Sequence, residues 1–266
     1  MNQYDDIRKI WKEIVICTAD DLDTALHNFR ILFAYHSGKI ENDLIDFHDT
    51  REIFENGKVI AFTGDPRTLF EQQNQKLCYD FLKGKIAAKK PLTVRGVLEI
   101  HGILTAGLYD ERRYVTQGER PGRFKQHDYI TGVYEVGYPP AEVEPAIEEL
   151  LDEINDEKVK DVLLAAAYFH ARFEHIHPFA DGNGRVGRTL MNYYLMTKGE
   201  PPLIVFEEDR KMYYQALEKY DADEDIRPLR DFLQAETIKT WDKTRKCKLG
   251  LLEERKRMSG LVEGQS

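Results

Sequence analysis

Residues 157–174 carry Val159, Val162, Leu163, Ala166, Phe169, His170 and Phe173, an alanine-rich run whose apolar positions cover a wide arc of the 3.6-residue period. A helix that is apolar around so much of its circumference must lie at the centre of other elements. The chain is therefore expected to form a bundle, and its remaining segments supply the partners. Residues 20–36 place Leu22, Ala25, Leu26, Phe29, Leu32 and Phe33 on one helical face, and residues 69–82 do the same with Phe70, Leu77, Cys78 and Phe81. Thr93 is a natural cap for a helix carrying Val97, Leu98, His101 and Leu104. Pro145 is read as opening a helix with Ile147, Leu150, Leu151 and Ile154 inward. Three more helices are expected over 183–197, 209–220 and 226–247. Residues 119–140, ERPGRFKQHDYITGVYEVGYPP, break the pattern. Tyr129, Thr131, Val133 and Val136 favour strands and Gly122, Gly132 and Gly137 punctuate them, so a short β-hairpin is expected within an otherwise mainly α fold.

Composition narrows the function classes. With 42% hydrophobic residues the chain can bury a sizeable core. Its 38 Lys and Arg against 47 Asp and Glu leave a net charge of −9, unfavourable for a general nucleic-acid binder, which works by neutralising phosphates. No apolar run approaches the roughly 18 residues of a membrane span, and the N-terminus does not read as a signal peptide. Cys17, Cys78 and Cys247 are too few and too scattered for a disulfide framework, which fits a reducing, cytoplasmic setting. The expected organisation is a helical region over 1–60, a core with flanking helices over 61–245 and a charged tail over 246–266.

The chemistry concentrates in His177-Pro178-Phe179-Ala180-Asp181-Gly182-Asn183-Gly184-Arg185-Val186-Gly187-Arg188, at the junction of two expected helices. Glycines at a helix start leave backbone N–H groups free to face an anion, and the helix dipole favours negative charge there. Gly182 and Gly184 permit a close backbone approach, and Arg185 and Arg188 share a helical face from which both can reach a polyphosphate. Asp181 is a hard oxygen ligand of the kind that holds Mg²⁺ against phosphates, and His177 can act as a base at neutral pH. Any one of these features alone is usually a turn or a solvated face. Together within twelve residues they describe phosphoryl or nucleotidyl transfer.

The segment resembles the signature of the Fic (Fido) family, H-P-F-x-[D/E]-G-N-G-R-x-x-R, at every fixed position. The resemblance spans roughly residues 90–235: LEIHGILTAGL is similar to the family's first core helix, GRFKQHDYITG to its flap, and YYQALEKYDADEDIRPLRDFL to its closing helices. It implies a Fic-type helical bundle with one short β-hairpin flap, and transfer of AMP from ATP to a hydroxyl of a target protein, with Mg²⁺ or Mn²⁺. Carried over residue by residue, it makes His177 the base, Phe179 a buried plug and Asp181 the metal ligand. Gly182, Asn183 and Gly184 become the anion site, and Arg185 and Arg188 the phosphate-binding arginines. A flap of Lys125, Gln126, His127, Asp128, Tyr129, Ile130 and Thr131 is implied to pair with the target's backbone.

Ser37-Gly38-Lys39-Ile40-Glu41-Asn42 resembles the family's inhibitory motif, [S/T]-x-x-x-E-[G/N], and is read as directly following the helix of residues 20–36. The resemblance implies that Ser37 and Glu41 belong to an inhibitory helix in which Glu41 competes with the γ-phosphate of ATP for Arg188. Ser259–Gly264 fits the same pattern, and the first match is favoured because a patterned helix precedes it. His175 and His177 lack further ligands at zinc spacing, His101 and His170 are expected in the core or behind the site, and Trp11 and Trp241 are expected to pack. Three alternatives stay open: removal of AMP from a modified protein by the same site, transfer of another phosphate-bearing group, and a non-catalytic peptide-binding module. A homodimer is an option, since relatives often pair through helices.

Overall fold

The computed structural model describes residues 2–131 and 135–263. The N-terminal third is α1 (Gln3–Lys12), α2 (Ala19–Ala25), α3 (Phe29–Glu41), α4 (Phe47–Asn56) and α5 (Pro66–Ala87). Then follow α6 (Val94–Leu104), a π-helical turn (Arg112–Thr116), α7 (Pro140–Asn155), α8 (Val162–Ile176) and α9 (Asn183–Thr197). A 3₁₀ turn (Glu207–Asp209), α10 (Arg210–Asp223) and α11 (Arg227–Glu263) complete the chain.

The alanine-rich segment is the axis of the molecule. In α8, Ala166, Ala167, Phe173 and Ile176 are fully buried; α7, α10 and α11 pack on α8, and α3, α5 and α6 pack on its partner α9. Small side chains on α8 let its neighbours approach closely, and one continuous core extends from Tyr4 to Leu233. Trp11 and Trp241 meet at 5.4 Å and fasten α1 to α11.

Several boundaries differ from the expected ones. The stretch 20–36 is two helices, because α2 ends at Ala25 and α3 starts at Phe29, so Ser37–Glu41 is the last part of α3 and does not follow it. Helix α7 opens at Pro140, and Pro145 lies inside it, where its missing N–H leaves the Ala141 carbonyl without the usual i→i−4 donor. On α5, Phe70 and Leu77 are exposed, while Glu71, Gln72, Asn74 and Gln75 are buried, so the working face of that helix is polar. Residues from 246 onward continue α11 as far as Glu263.

The expected β-hairpin is not formed among the described residues, and their architecture is all-helical. Among the described residues the only extended pairing is a two-step ladder, Ile130 opposite Val136 and Thr131 opposite Glu135, too short to count as a sheet. The segment's polar groups are committed elsewhere. The Gly122 N–H bonds His101 Nδ1 at 2.9 Å, the Lys125 N–H bonds the Pro178 carbonyl at 2.9 Å, and the Tyr138 N–H bonds the Ile176 carbonyl at 3.0 Å. The Glu119 carboxylate accepts from the Gln126 N–H (3.0 Å) and the Tyr129 hydroxyl (2.8 Å). These backbone donors lie on either side of the expected strands, at 122–126 and 138, and tie the ends of the segment to the core and to Glu119.

Candidate active site

Helix α8 ends at His177, whose φ of +51° lies in the left-handed region that is strained for a non-glycine residue. The turn that follows is closed by Asn183. Its side-chain oxygen accepts the Phe179 N–H at 2.9 Å and its amide donates to the Phe179 carbonyl at 2.8 Å. Phe179 is fully buried, stacked on His101 with ring centres 3.7 Å apart, and this anchors the turn in the core. Gly182 takes φ +84° as the N-cap of α9 and offers no side chain to cap it, so the helix start keeps free N–H groups.

These residues open onto a cleft of about 760 Å³. His177, Asp181, Gly182, Asn183, Gly184, Arg185 and Arg188 all line it, so every fixed position of the signature except Pro178 and the core plug Phe179 converges on one cavity. Arg188 is buried, yet its Nη2 reaches Glu41 Oε1 at 2.8 Å and the Ser37 carbonyl at 2.9 Å, while its Nε donates to Ser37 Oγ at 3.1 Å. At Gly184 a Cβ would collide with Glu41 Oε1 and lie 2.9 Å from Arg188 Nη1, so only glycine leaves room beside that ion pair. Arg185 is also buried, and its Nε and Nη1 have no hydrogen-bond partner. Orphaned guanidinium donors, a bare helix N-terminus and a cradle at Gly184 together fit a polyphosphate. One exposed-edge carboxylate, Asp181, beside such a site suits a cation whose remaining ligands would be phosphate oxygens and water.

Burial, with help from the nearby Lys125 ammonium, pushes the His177 imidazole down to about 4, so the ring is unprotonated at neutral pH. Lys125 itself, expected to face a target, is buried with its Nζ unpartnered. Gln126, His127 and Asp128 are exposed, and Tyr129 reaches the cleft wall. Only the backbone of Ile130 and Thr131 lies within the described residues. His101 and His170 are in the core, and burial pushes both down to about 3.

The cleft has members that the sequence did not reveal. Helix α5 contributes Arg67 and Glu71, whose side chains meet at 3.1 Å. Glu71 also accepts from the Asn42 amide at 2.9 Å, tying the end of α3 to the site. Arg113 enters from the π-helical turn, and Tyr213, Tyr214, Leu217 and Asp221 of α10 form the opposite wall. Glu174, pushed up to about 8 by burial, stands beside Arg188. Spacing within the expected α10 placed Tyr213 and Tyr214 on a helix, but nothing local pointed that helix at the cleft.

Residues 91–195 match the Fic/DOC family. The chain carries a Fic/DOC domain. The relatives it resembles include the protein adenylyltransferase Fic of Drosophila willistoni, 30% identical over 215 residues, which cover 78% of this chain and 40% of that protein. The Drosophila persimilis protein of the same name is also 30% identical over 215 residues, 78% of this chain and 39% of its own. The chain thus spans about 40% of the length of the curated relatives it matches. Among solved structures, a Fic domain containing signaling protein from Bacteroides thetaiotaomicron superposes with a TM-score of 0.79 at 22% identity, over 94% of this chain and 97% of that one. Fic-1 from C. elegans gives 0.70 at 25% identity, over 94% and 74%. The Fic domain's matched span holds α6 to α9, while α3 and α5, which complete the cleft, lie before it. Among the described residues no helix is long and apolar enough to cross a membrane.

Proposed function

We propose that the protein is an autoinhibited adenylyltransferase that moves AMP from ATP to a hydroxyl of a target protein. The observation that carries the reading is Arg188, buried in the phosphate-binding face of the cleft and held at 2.8 Å by Glu41 of its own chain. In this reading the triphosphate lies across the α9 N-terminus, with Arg185 and the Gly182–Gly184 backbone on its phosphates and Arg188 on the terminal one. The nucleoside rests against Tyr213, Tyr214 and Leu217, with Asp221 at the rim as an acceptor. His177, neutral and fixed by its turn, takes the proton of the target hydroxyl as that oxygen attacks the α-phosphorus and pyrophosphate leaves. A divalent cation at Asp181, Mg²⁺ or Mn²⁺, would screen charge on the departing phosphates. Residues 126–131 would hold the target backbone beside His177.

Glu41 and a γ-phosphate need the same guanidinium, so a docked α3 leaves the nucleotide misaligned. The test uses ATP labelled at the α-phosphate. The Glu41→Gly variant is expected to label itself, with wild type and Glu41→Gly/His177→Ala near background, and His177→Ala still binding ATP. No label in Glu41→Gly with ATP bound would sink the reading. Labelling released by Glu263→Gly and not by Glu41→Gly would transfer the inhibitory role to the end of α11. Hydrolytic removal of AMP is the second reading, favoured by one observation: Glu41 projects a half-exposed carboxylate into the cleft, where it can orient a water.

A further inference from the structure

Asp181 is surrounded by guanidinium groups. Its Oδ2 faces Arg67 Nη2 at 3.3 Å and Arg113 Nη1 at 4.0 Å, and its Oδ1 faces Arg185 Nη2 at 3.6 Å. Neither oxygen is left without a cation. Arg67 is held in place by three contacts: Nη2 on Asp181, Nε on Glu71 at 3.1 Å and Nη1 on the Leu108 carbonyl at 3.0 Å. It comes from α5, outside the span matched by the family, and none of the roles assigned above falls to it. Mg²⁺ binds carboxylate oxygen at about 2.0–2.1 Å, so an ion on either oxygen of Asp181 would stand against a guanidinium only a few ångströms away, a strongly unfavourable like-charge contact.

We propose that Arg67, with Arg113 and Arg185, makes the cation site conditional on the nucleotide, so that the divalent ion enters only with a polyphosphate. Guanidinium groups bond phosphate oxygens in preference to standing near a second cation. A triphosphate in the cleft draws Arg185, whose Nε and Nη1 make no hydrogen bond although Nη1 lies 3.6 Å from Glu71 Oε1, and reverses the local charge. Asp181 is then released to the ion that the phosphates bring. Arg67 acts here as a positioning residue: it occupies the Asp181 carboxylate in the free protein and yields it in the loaded one. The inference rests on the reading of Asp181 as the cation ligand.

The test is water-proton relaxation enhancement with Mn²⁺, which rises when the ion tumbles with the protein, measured on the full chain with and without α,β-methylene-ATP. The Asp181→Asn variant gives the background from the acidic surface. Wild type is expected to show no Asp181-dependent enhancement with Mn²⁺ alone and a clear one with the analogue. Arg67→Gln, at a half-exposed position, is expected to bind Mn²⁺ without nucleotide at least roughly tenfold more tightly than wild type, with the gain lost on adding Asp181→Asn. Arg113→Gln is expected to do the same more weakly. Asp181-dependent binding of Mn²⁺ alone to wild type would overturn the proposal, as would no gain in either arginine variant. No Asp181-dependent signal even with the analogue bound would overturn the assignment of Asp181 itself, a different failure.

Discussion

At the scale of single residues, His177 joins an unusual backbone to an unusual side-chain environment. Its left-handed φ turns the chain out of α8, and its burial holds the imidazole unprotonated down to about pH 4. In the Glu41→Gly background, the acid limb of kcat/KM is therefore expected to have its midpoint near 4, not near the free imidazole's value of about 6.5. A midpoint at 6.5 would mean that another group sets the rate. Phe179 holds the same turn from inside. Phe179→Ala removes a fully buried ring stacked on His101, and is expected to cost about 3–5 kcal/mol, read as a lowered Tm, together with loss of transfer activity. Unchanged Tm would show that the turn is held by Asn183 alone. The twelve residues 177–188 could be read as a site from sequence because their chemistry is contiguous. Arg67, Glu71, Arg113, Tyr213 and Glu174 could not, because their approach to Asp181 and Arg188 is made by helix packing across more than a hundred positions in some cases. Asn183 shows a subtler limit: the sequence places it in the anion site, but its side chain closes the turn on Phe179, and only its backbone is left for an anion.

Among the elements, residues 126–129, between α6 and α7, are gathered by one buried carboxylate. Glu119 gathers the Gln126 N–H, the His127 ring and the Tyr129 hydroxyl within 3.0 Å. Glu119→Ala should remove amide-exchange protection at Gln126 and lower transfer to a target without weakening ATP binding. Exchange that stays slow would assign the restraint to the Lys125–Pro178 bond instead. Alternating strand formers at Tyr129, Thr131 and Val136 suggested a hairpin, because period-two alternation is the local signal for one. The bonds that hold the segment's ends, to His101, Pro178 and Ile176, are tertiary, while those to Glu119 are local. Helix α3 carries a second handle of the same kind. Its end is tied to α5 through Asn42 and Glu71, and Asn42→Ala is expected to raise self-labelling part of the way toward Glu41→Gly, since the Arg188 contact survives while the helix end is loosened. Labelling equal to wild type would show that Ser37 and Glu41 hold α3 unaided.

For the whole molecule, buried ionisable groups set a narrow pH range of greatest stability. His101, His170 and His177 titrate at about 3, 3 and 4 in the fold. Their unfolded value is about 6.5, so the unfolded chain takes up protons first and stability falls as pH drops below about 6.5. Glu174 and Glu236 are pushed up by burial to about 8 and about 7, from about 4.3 unfolded, so their contribution is lost as pH rises through that interval. Calorimetry is expected to find the highest Tm near pH 6–6.5, with Glu174→Gln flattening the alkaline decline. A Tm still climbing from 6.5 to 8 would contradict this balance. That α8 lies at the centre of a helical fold was legible from its wide apolar arc. Which helix faces which had to be seen.

The Arg188–Glu41 contact joins two points of one chain, and that fixes how it responds to its surroundings. A tethered carboxylate meets its guanidinium at a local concentration set by the fold, typically on the millimolar scale or above for short connections, whatever the amount of protein. Dilution alone does not relieve it, whereas an anion supplied in excess competes with it for the guanidinium. Under the proposed competition for Arg188, the contact would register the abundance of a phosphate-bearing ligand rather than that of the protein itself.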